Sequence, residues 1–332
     1  MQNIILLLCF VFACVLLMHL IPYFYDSHGL RAYPGPFFAK FTDLWLGQTI
    51  FSNTWSETVE KLHKKHGPFV RIGPNYISIS DPAALVSVYG HTSGALKAPF
   101  YDSFVAFKHA SVFSTRSRAD HARKRRVHSL VFSQKSIRAL ESTTRVHFAK
   151  LVEQWDTLCK CVEGSSKEGR MGSSTWSLED GRVWFDCMTC DLAFGSPFGM
   201  VRAAKDETWV AKYATGGIDT LDKCAFDMER IPVIGVLSVR AEVVPIFGFL
   251  PARWRPLAQW HPRLREGNDA AKKLAGLSIA SVSKRLENPE VREDMLQKLL
   301  EGRVADGIPM SPDEMAAEAF TLIIAGAETM AM

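Results

Sequence analysis

A mainly α fold with a minor β-sheet (α+β), preceded by one transmembrane helix, is the fold class this sequence predicts. Three observations carry it. No Lys, Arg, Asp or Glu occurs in the first 25 residues. Two short strand-like runs, Phe69-Val70-Arg71-Ile72 and Tyr76-Ile77-Ser78-Ile79, are followed by long stretches of helical pattern. An apolar helix begins at Ser311 and runs through Ala325-Gly326-Ala327-Glu328-Thr329.

The apolar start comes first in the chain. Ile4 to Ile21 is apolar except for His19. In a helix it spans about 27 Å, close to the ~30 Å hydrocarbon thickness of a bilayer. Met1-Gln2-Asn3 has no basic side chain and Leu20-Ile21-Pro22-Tyr23 is a poor cleavage site, so an uncleaved signal anchor is expected over a cleaved signal. Arg31 and Lys40 follow the span and no basic residue precedes it, which puts the body on the cytoplasmic side. Tyr23, Phe24 and Tyr25 suit the membrane interface. The expected division is an anchor over 1–21, a Pro-rich hinge over 22–36 stiffened by Tyr33-Pro34-Gly35-Pro36, and a domain over 37–332.

Trp55 to His66 reads as an amphipathic helix with Val59, Leu62 and the stem of Lys65 on one side, ended by Gly67-Pro68. Gly73-Pro74-Asn75 joins the two strands as a hairpin. Asp81-Pro82 opens a helix through Tyr89. Ser165 to Ser174 is a polar surface loop, and Leu237 to Trp254 carries two prolines and no clear period. In the last helix Ser311 is the N-cap, Pro312 the first helical residue and Glu314 the far half of a capping box. Between Ala316 and Ala327 only Glu318 and Thr321 are polar, so this helix should be buried almost all round. Gly326 costs about 1 kcal/mol relative to Ala in a helix interior. Something should approach the backbone there, either a neighbouring helix or a ligand.

Composition narrows the function. Hydrophobic residues at 47% and charged residues at 22% describe an ordinary globular protein with an apolar addition. A net charge of +4 and the lack of a binding module exclude a nucleic-acid partner. Seven cysteines without framework spacing indicate reduced thiols facing the cytosol. Cys187 and Cys190, near Asp186 and Asp191, lack the second ligand pair that zinc requires and read as small apolar residues of a core helix. There is no hydrolase elbow, phosphate loop, dinucleotide fingerprint or His-Glu-x-x-His.

Arg116 to Arg126 holds six basic residues and leads into a helix ending near Phe132. His121 and Arg125, four apart, share a face about 40° wide, while Arg123, Lys124 and Arg126 point elsewhere. The pattern allows an inward pair gripping a buried anion and an outward patch for an acidic partner. A solvated basic helix fits the same residues.

In order along the chain, these segments resemble the cytochrome P450 family of haem-thiolate monooxygenases. The resemblance rests on the anchor and Pro-Gly-Pro hinge, Gly67-Pro68-Phe69-Val70-Arg71-Ile72, His121-x-x-x-Arg125 followed by Phe132-Ser133, Phe194-Gly195, Asp294-Met295-Leu296, and Ala325-Gly326-Ala327-Glu328-Thr329. It implies the N-terminal part of that fold, ending in the helix across the distal face of haem b. It also implies that Ala325 and Gly326 leave room for dioxygen and that Glu328 and Thr329 deliver protons. His121, in place of a more common Trp, would hold a haem propionate with Arg125. The residue after the Thr is usually a hydroxyl and here is Met330. Arg123, Lys124 and Arg126 would face NADPH-cytochrome P450 reductase, with the chain anchored in the endoplasmic reticulum membrane.

Within the family, His63 to Asn75, Ile77 to Pro82, Phe100-Tyr101-Asp102 and Arg123 to Ser136 are similar to fungal benzoate para-hydroxylases. That likeness implies para-hydroxylation of a small aromatic acid, with Leu96 to Phe113 as the substrate-contacting loop and Lys97 or Lys108 meeting its carboxylate. The family's Phe-x-x-Gly-x-Arg-x-Cys-x-Gly loop, which supplies the iron's thiolate, and its Glu-x-x-Arg helix are absent from these residues. A C-terminally truncated fragment, inactive alone, is therefore expected. The alternative is a non-enzymatic membrane-anchored remnant or partner-binding decoy.

Overall fold

The computed structural model describes residues 2–90, 92–105, 108–165, 195, 200, 206–212, 227–250, 254–287, 294–305 and 310–330. They form two compact units. One comprises Met1–Leu96 with Glu242–His261, the other Lys97–Ala241 with Pro262–Met332.

In the first unit, helix α1 (Gln2–Tyr25) has no charged residue in its first or last turn and is long and apolar enough to cross a membrane. It continues through Pro22, past the expected end at residue 21. Its last turns dock on the body. A His19 ring nitrogen bonds the Phe41 carbonyl at 3.1 Å, and the Tyr23 and Phe41 ring centroids lie 4.6 Å apart. The hinge is likewise held: the Arg71 N–H donates to the Pro34 carbonyl at 2.8 Å. A Cβ on Gly35 would stand 2.0 Å from the Arg71 carbonyl oxygen, so only glycine allows this approach.

Helix α2 (Leu44–Phe51) and helix α3 (Trp55–His66) precede strands β1 (Phe69–Gly73) and β2 (Tyr76–Ile79). The strands pair antiparallel, Phe69 opposite Ile79 and Val70 opposite Ser78. Helix α3 ends at Gly67, whose φ of 90° suits glycine. Val59 and Leu62 are half-buried as expected, but Lys65 is exposed. His63 takes the inward place, bonding Ser78 Oγ at 2.8 Å and the Gly67 carbonyl at 2.9 Å. Helix α4 (Ala84–Tyr89) follows Asp81, whose carboxylate accepts from the Ala83 N–H.

The second unit begins with α5 (Arg118–Val131), α6 (Gln134–Ala139) and α7 (Glu141–Ser165). Ser117 and Ser133 cap α5 and α6 by accepting from the N–H groups of Asp120 and Ser136. A second antiparallel pair, β3 (Thr208–Ala211) with β4 (Met228–Ile231), has no counterpart in the sequence expectation. Four helices follow β4 and the first-unit turn α9 (Arg255–Ala258) lies among them: α8 (Val233–Phe249), α10 (Pro262–Glu287), α11 (Met295–Ala305) and α12 (Pro312–Met330). Leu274 and Leu277 of α10, Leu296 and Leu299 of α11, Met315, Ala319 and Ile323 of α12, and Val127 and Val131 of α5 share one core.

Helix α8 corrects the reading of Leu237 to Trp254. Residues 237–249 are helical, with Pro245 inside. Val236, Leu237, Val243, Val244 and Ile246 are all buried. A helix buried on several faces shows no polar-apolar alternation, and this explains the missing period. Cys187, Cys190, Asp186, Asp191, Phe194 and the loop after Ser165 lie outside the described residues.

Candidate functional site

Helices α5 and α12 frame the site, and a buried acid ties them together. Glu318, with 0% of its surface exposed, lies in the apolar half of α12. Its carboxylate accepts from the ammonium of Lys124 at 3.0 Å, and its second oxygen bonds His128 Nε2 at 2.9 Å. The Val112 N–H donates to both oxygens, at 3.0 and 3.1 Å. One carboxylate thus holds a helix and the loop before it against α12. Lys124 is 1% exposed and also pairs with Glu314, which Arg123 engages as well. Removing charges from water is expensive unless each is paired and hydrogen-bonded. Here both conditions are met. Burial raises the Glu314 pKa, but the Arg123 and Lys124 hydrogen bonds outweigh it, and the net shift is downward.

This cluster corrects two expectations. Arg123 and Lys124 do not form an outward patch: Lys124 is buried and Arg123 is engaged by Asp120 and Glu314. Arg126 is exposed. The capping box is only half formed. Ser311 Oγ accepts from the Glu314 N–H at 3.1 Å, but the Glu314 carboxylate turns to α5, where it pairs with buried Lys124 and half-buried Arg123.

His121 and Arg125 both lie on α5. His121 is half-buried, and burial lowers its pKa, with the charges of Lys97 and Arg125 adding to the effect and Asp120 opposing it. Arg125 is exposed and makes no ion pair among the described residues. The pair is therefore electropositive and suits an incoming carboxylate. On α12 burial is continuous from Met315 to Phe320; Ala325 is exposed and Gly326 half-buried. The helix expected to be buried all round opens at its small residues. It is helical through Glu328 and Thr329, whose side chains lie outside the described residues.

The loop before α5 is aromatic. Phe104 lies 5.4 Å from Phe100 and 5.3 Å from Phe113, and Tyr101 lies 5.4 Å from Phe113. Lys97 staples this loop. Its ammonium donates to the Val112 and Phe113 carbonyls at 2.9 and 2.5 Å and stands over the Tyr101 and Phe113 rings. Lys97 is thus occupied in the loop itself, and Lys108 is exposed with φ of 62°. The cluster partners Glu314, Lys124 and His128 went unrecognised from sequence. The available signal was Glu318 itself, the one acid between Ala316 and Ala327, which requires buried cations elsewhere.

Comparison with known proteins completes the description. Residues 33–332 match the family model for cytochrome P450. The chain is 36% identical over 328 residues to a benzoate 4-monooxygenase of Aspergillus niger, covering 96% of this chain and 59% of that protein. It is 33% identical over 201 residues to a cytochrome P450 monooxygenase of Fusarium pseudograminearum, covering 58% of this chain and 33% of that one. A cytochrome P450 monooxygenase of Stereocaulon alpinum is 27% identical over 309 residues, covering 92% and 54%. The chain therefore spans well under two thirds of the length of these relatives.

Proposed function

The chain belongs to the cytochrome P450 family, whose cofactor is haem, and from that premise we propose that it is the anchor-bearing, distal-wall part of a monooxygenase acting on a small aromatic acid. The observation that carries the site reading is the electropositive pair His121 and Arg125, standing on the helix that Glu318 locks to α12. These residues fit a haem propionate. Arg125 would hold the carboxylate by a charge-assisted fork, and His121 would gain its proton more readily once an anion offsets Lys97 and Arg125.

Bound haem supplies oxygen activation and redox chemistry. The chain's own residues do the remaining work. Ala325 and Gly326 keep bulk away from the open stretch of α12, and Glu328 with Thr329 would pass protons from solvent along its last turn. Electrons would come from NADPH through cytochrome P450 reductase, with Arg126 among the exposed charges on α5. Helix α1 would hold the chain in the endoplasmic reticulum membrane by a single pass, body to the cytoplasm. The likeness to a benzoate 4-monooxygenase and the Phe100–Phe113 aromatic loop support para-hydroxylation of a benzoate-like compound.

The 332 residues contain no Phe-x-x-Gly-x-Arg-x-Cys-x-Gly loop, and expressed alone they would be inactive for want of a thiolate. A carbon-monoxide difference spectrum tests this. These residues alone should lack the long-wavelength thiolate band, and a polypeptide extended through such a loop should show it. A band from the 332 residues alone would overturn the inactivity. An extended transcript with an early stop would favour a non-enzymatic, membrane-anchored decoy.

A further inference from the structure

We infer that Lys97 is a positioning residue for substrate binding: by clamping the backbone at Val112 and Phe113 it sets the aromatic loop as a ready-made wall for a one-ring aromatic acid. The assignment rests on the aromatic-acid reading above. Two opposite charges hold Val112 from either side. Its N–H donates to both oxygens of Glu318 on α12, and its carbonyl accepts from the Lys97 ammonium at 2.9 Å. The same ammonium takes the next carbonyl, that of Phe113, at 2.5 Å. Glu318 is buried and held by Lys124 and His128, so it serves as a fixed post. Lys97, half-buried at the start of the loop, ties that end to the residues the post holds.

What the clamp positions is ring surface. Lys97 Nζ stands 5.4 Å from the ring centre of Tyr101 and 5.8 Å from that of Phe113. Phe113 packs on Tyr101 and Phe104, and Phe104 on Phe100. Phe100, Tyr101 and Phe104 are half-buried and Phe113 is 45% exposed, so the cluster keeps accessible surface that a benzene ring can cover. Phe104 and Phe320 of α12 both meet the Arg240 guanidinium, which places this wall beside the helix that opens at Ala325 and Gly326. A second clip steadies the lysine. Arg116 Nε donates to the Lys97 carbonyl at 3.1 Å, and its guanidinium pairs with Asp102. An ammonium carries three rotatable donors, so it can take two adjacent carbonyls while its charge faces the rings. Methionine would keep the packing of the stem and lose both bonds.

A wall ordered in advance lowers the ordering cost of binding, whatever the charge of the ligand. A positioning lysine and one that grips the carboxylate therefore differ in their effect on a charged ligand and its neutral analogue. The test is calorimetric titration of the complete haem-loaded enzyme with benzoate and methyl benzoate, in the native form and as K97M and K97R. Hydrogen exchange is followed on the ligand-free forms. K97M should weaken both compounds by the same factor, about tenfold, as the ordering of one or two side chains moves to the binding step. It should also speed exchange at residues 98–105 and 108–114. K97R, which keeps the charge and the donors, should restore most of both. Loss of benzoate affinity alone, with exchange unchanged, makes Lys97 a direct carboxylate contact and overturns the clamp. Native affinity of K97M for both compounds overturns it too, and K97R no better than K97M removes the role of the donors. Equal native affinity for the two compounds overturns the aromatic-acid reading instead, and the comparison of K97M with native enzyme still decides the clamp. Should K97M fail to fold by circular dichroism, K97Q decides: native-like affinity for both compounds there sinks the proposal.

Discussion

Helix α5 carries two histidine–cation pairs at the same four-residue spacing, and they have opposite fates. Lys124 and His128 are buried against Glu318, whereas His121 is half-buried and Arg125 exposed. Helical geometry puts all four within an arc of about 100°, with Lys124 at one edge and Arg125 at the other. Spacing therefore cannot say which pair is structural and which is left to bind. The partner decides. Glu318 and Glu314 reach one edge from α12, and among the described residues no acid pairs with Arg125 at the other. One edge of the helix is a lock; the other is available to an anion.

Breaking the lock should have the largest effect. Glu318→Gln leaves Lys124 and His128 buried beside a neutral amide and should destabilise the fold by about 3–5 kcal/mol in denaturant unfolding. Combining it as Glu318→Leu with Lys124→Met should recover much of that loss, since a buried pair exchanged for apolar packing is often neutral. If single and double variants are equally destabilised, the cluster is not the lock described here.

The open pair should behave the other way. Arg125→Gln should move the unfolding midpoint little, as surface changes stay within about 0.5 kcal/mol. It should nonetheless speed haem loss from the complete enzyme to an apoprotein scavenger about tenfold or more, the cost of losing a charge-assisted carboxylate contact. An unchanged loss rate would remove Arg125 from the propionate site.

Two smaller effects sharpen the contrast. Ser311→Ala removes the cap of α12 and should cost about 1 kcal/mol, read as a drop in midpoint. The acid limb of stability should depend on Glu314. Its folded pKa is depressed, so its contribution is present above the ordinary glutamate value of about 4.3 and is lost as pH falls through the lower folded value. Urea midpoints measured on acidification should fall in that window, and Glu314→Gln should flatten the fall.

Much of the local structure was legible because it is written in neighbouring residues. Helix α3 runs over Trp55–His66 as expected, the hairpin pairs Phe69–Gly73 with Tyr76–Ile79, and Ser311 caps α12. The failures share a cause. Lys65 gave way to His63 because Ser78 lies across from the latter in space. Glu314 left its capping box because α5 brought two cations to it. Residues 237–249 were unreadable as helix because burial removed the polar face that periodicity needs. The β3–β4 pair was missed because four-residue strands carry little pattern.

The sequence by itself determined the apolar N-terminal helix, the order of helices and hairpin, and an acid, Glu318, inside the apolar stretch of α12 that had to find a cation, since these follow from hydrophobicity, capping and the cost of burying charge. Only the tertiary structure decided which cations answered Glu318, that Arg125 has no acid partner among the described residues, and that Arg240 meets Phe104 and Phe320. Contacts between residues about 80 to more than 200 positions apart depend on how helices pack, and helical spacing within one segment carries no information about that.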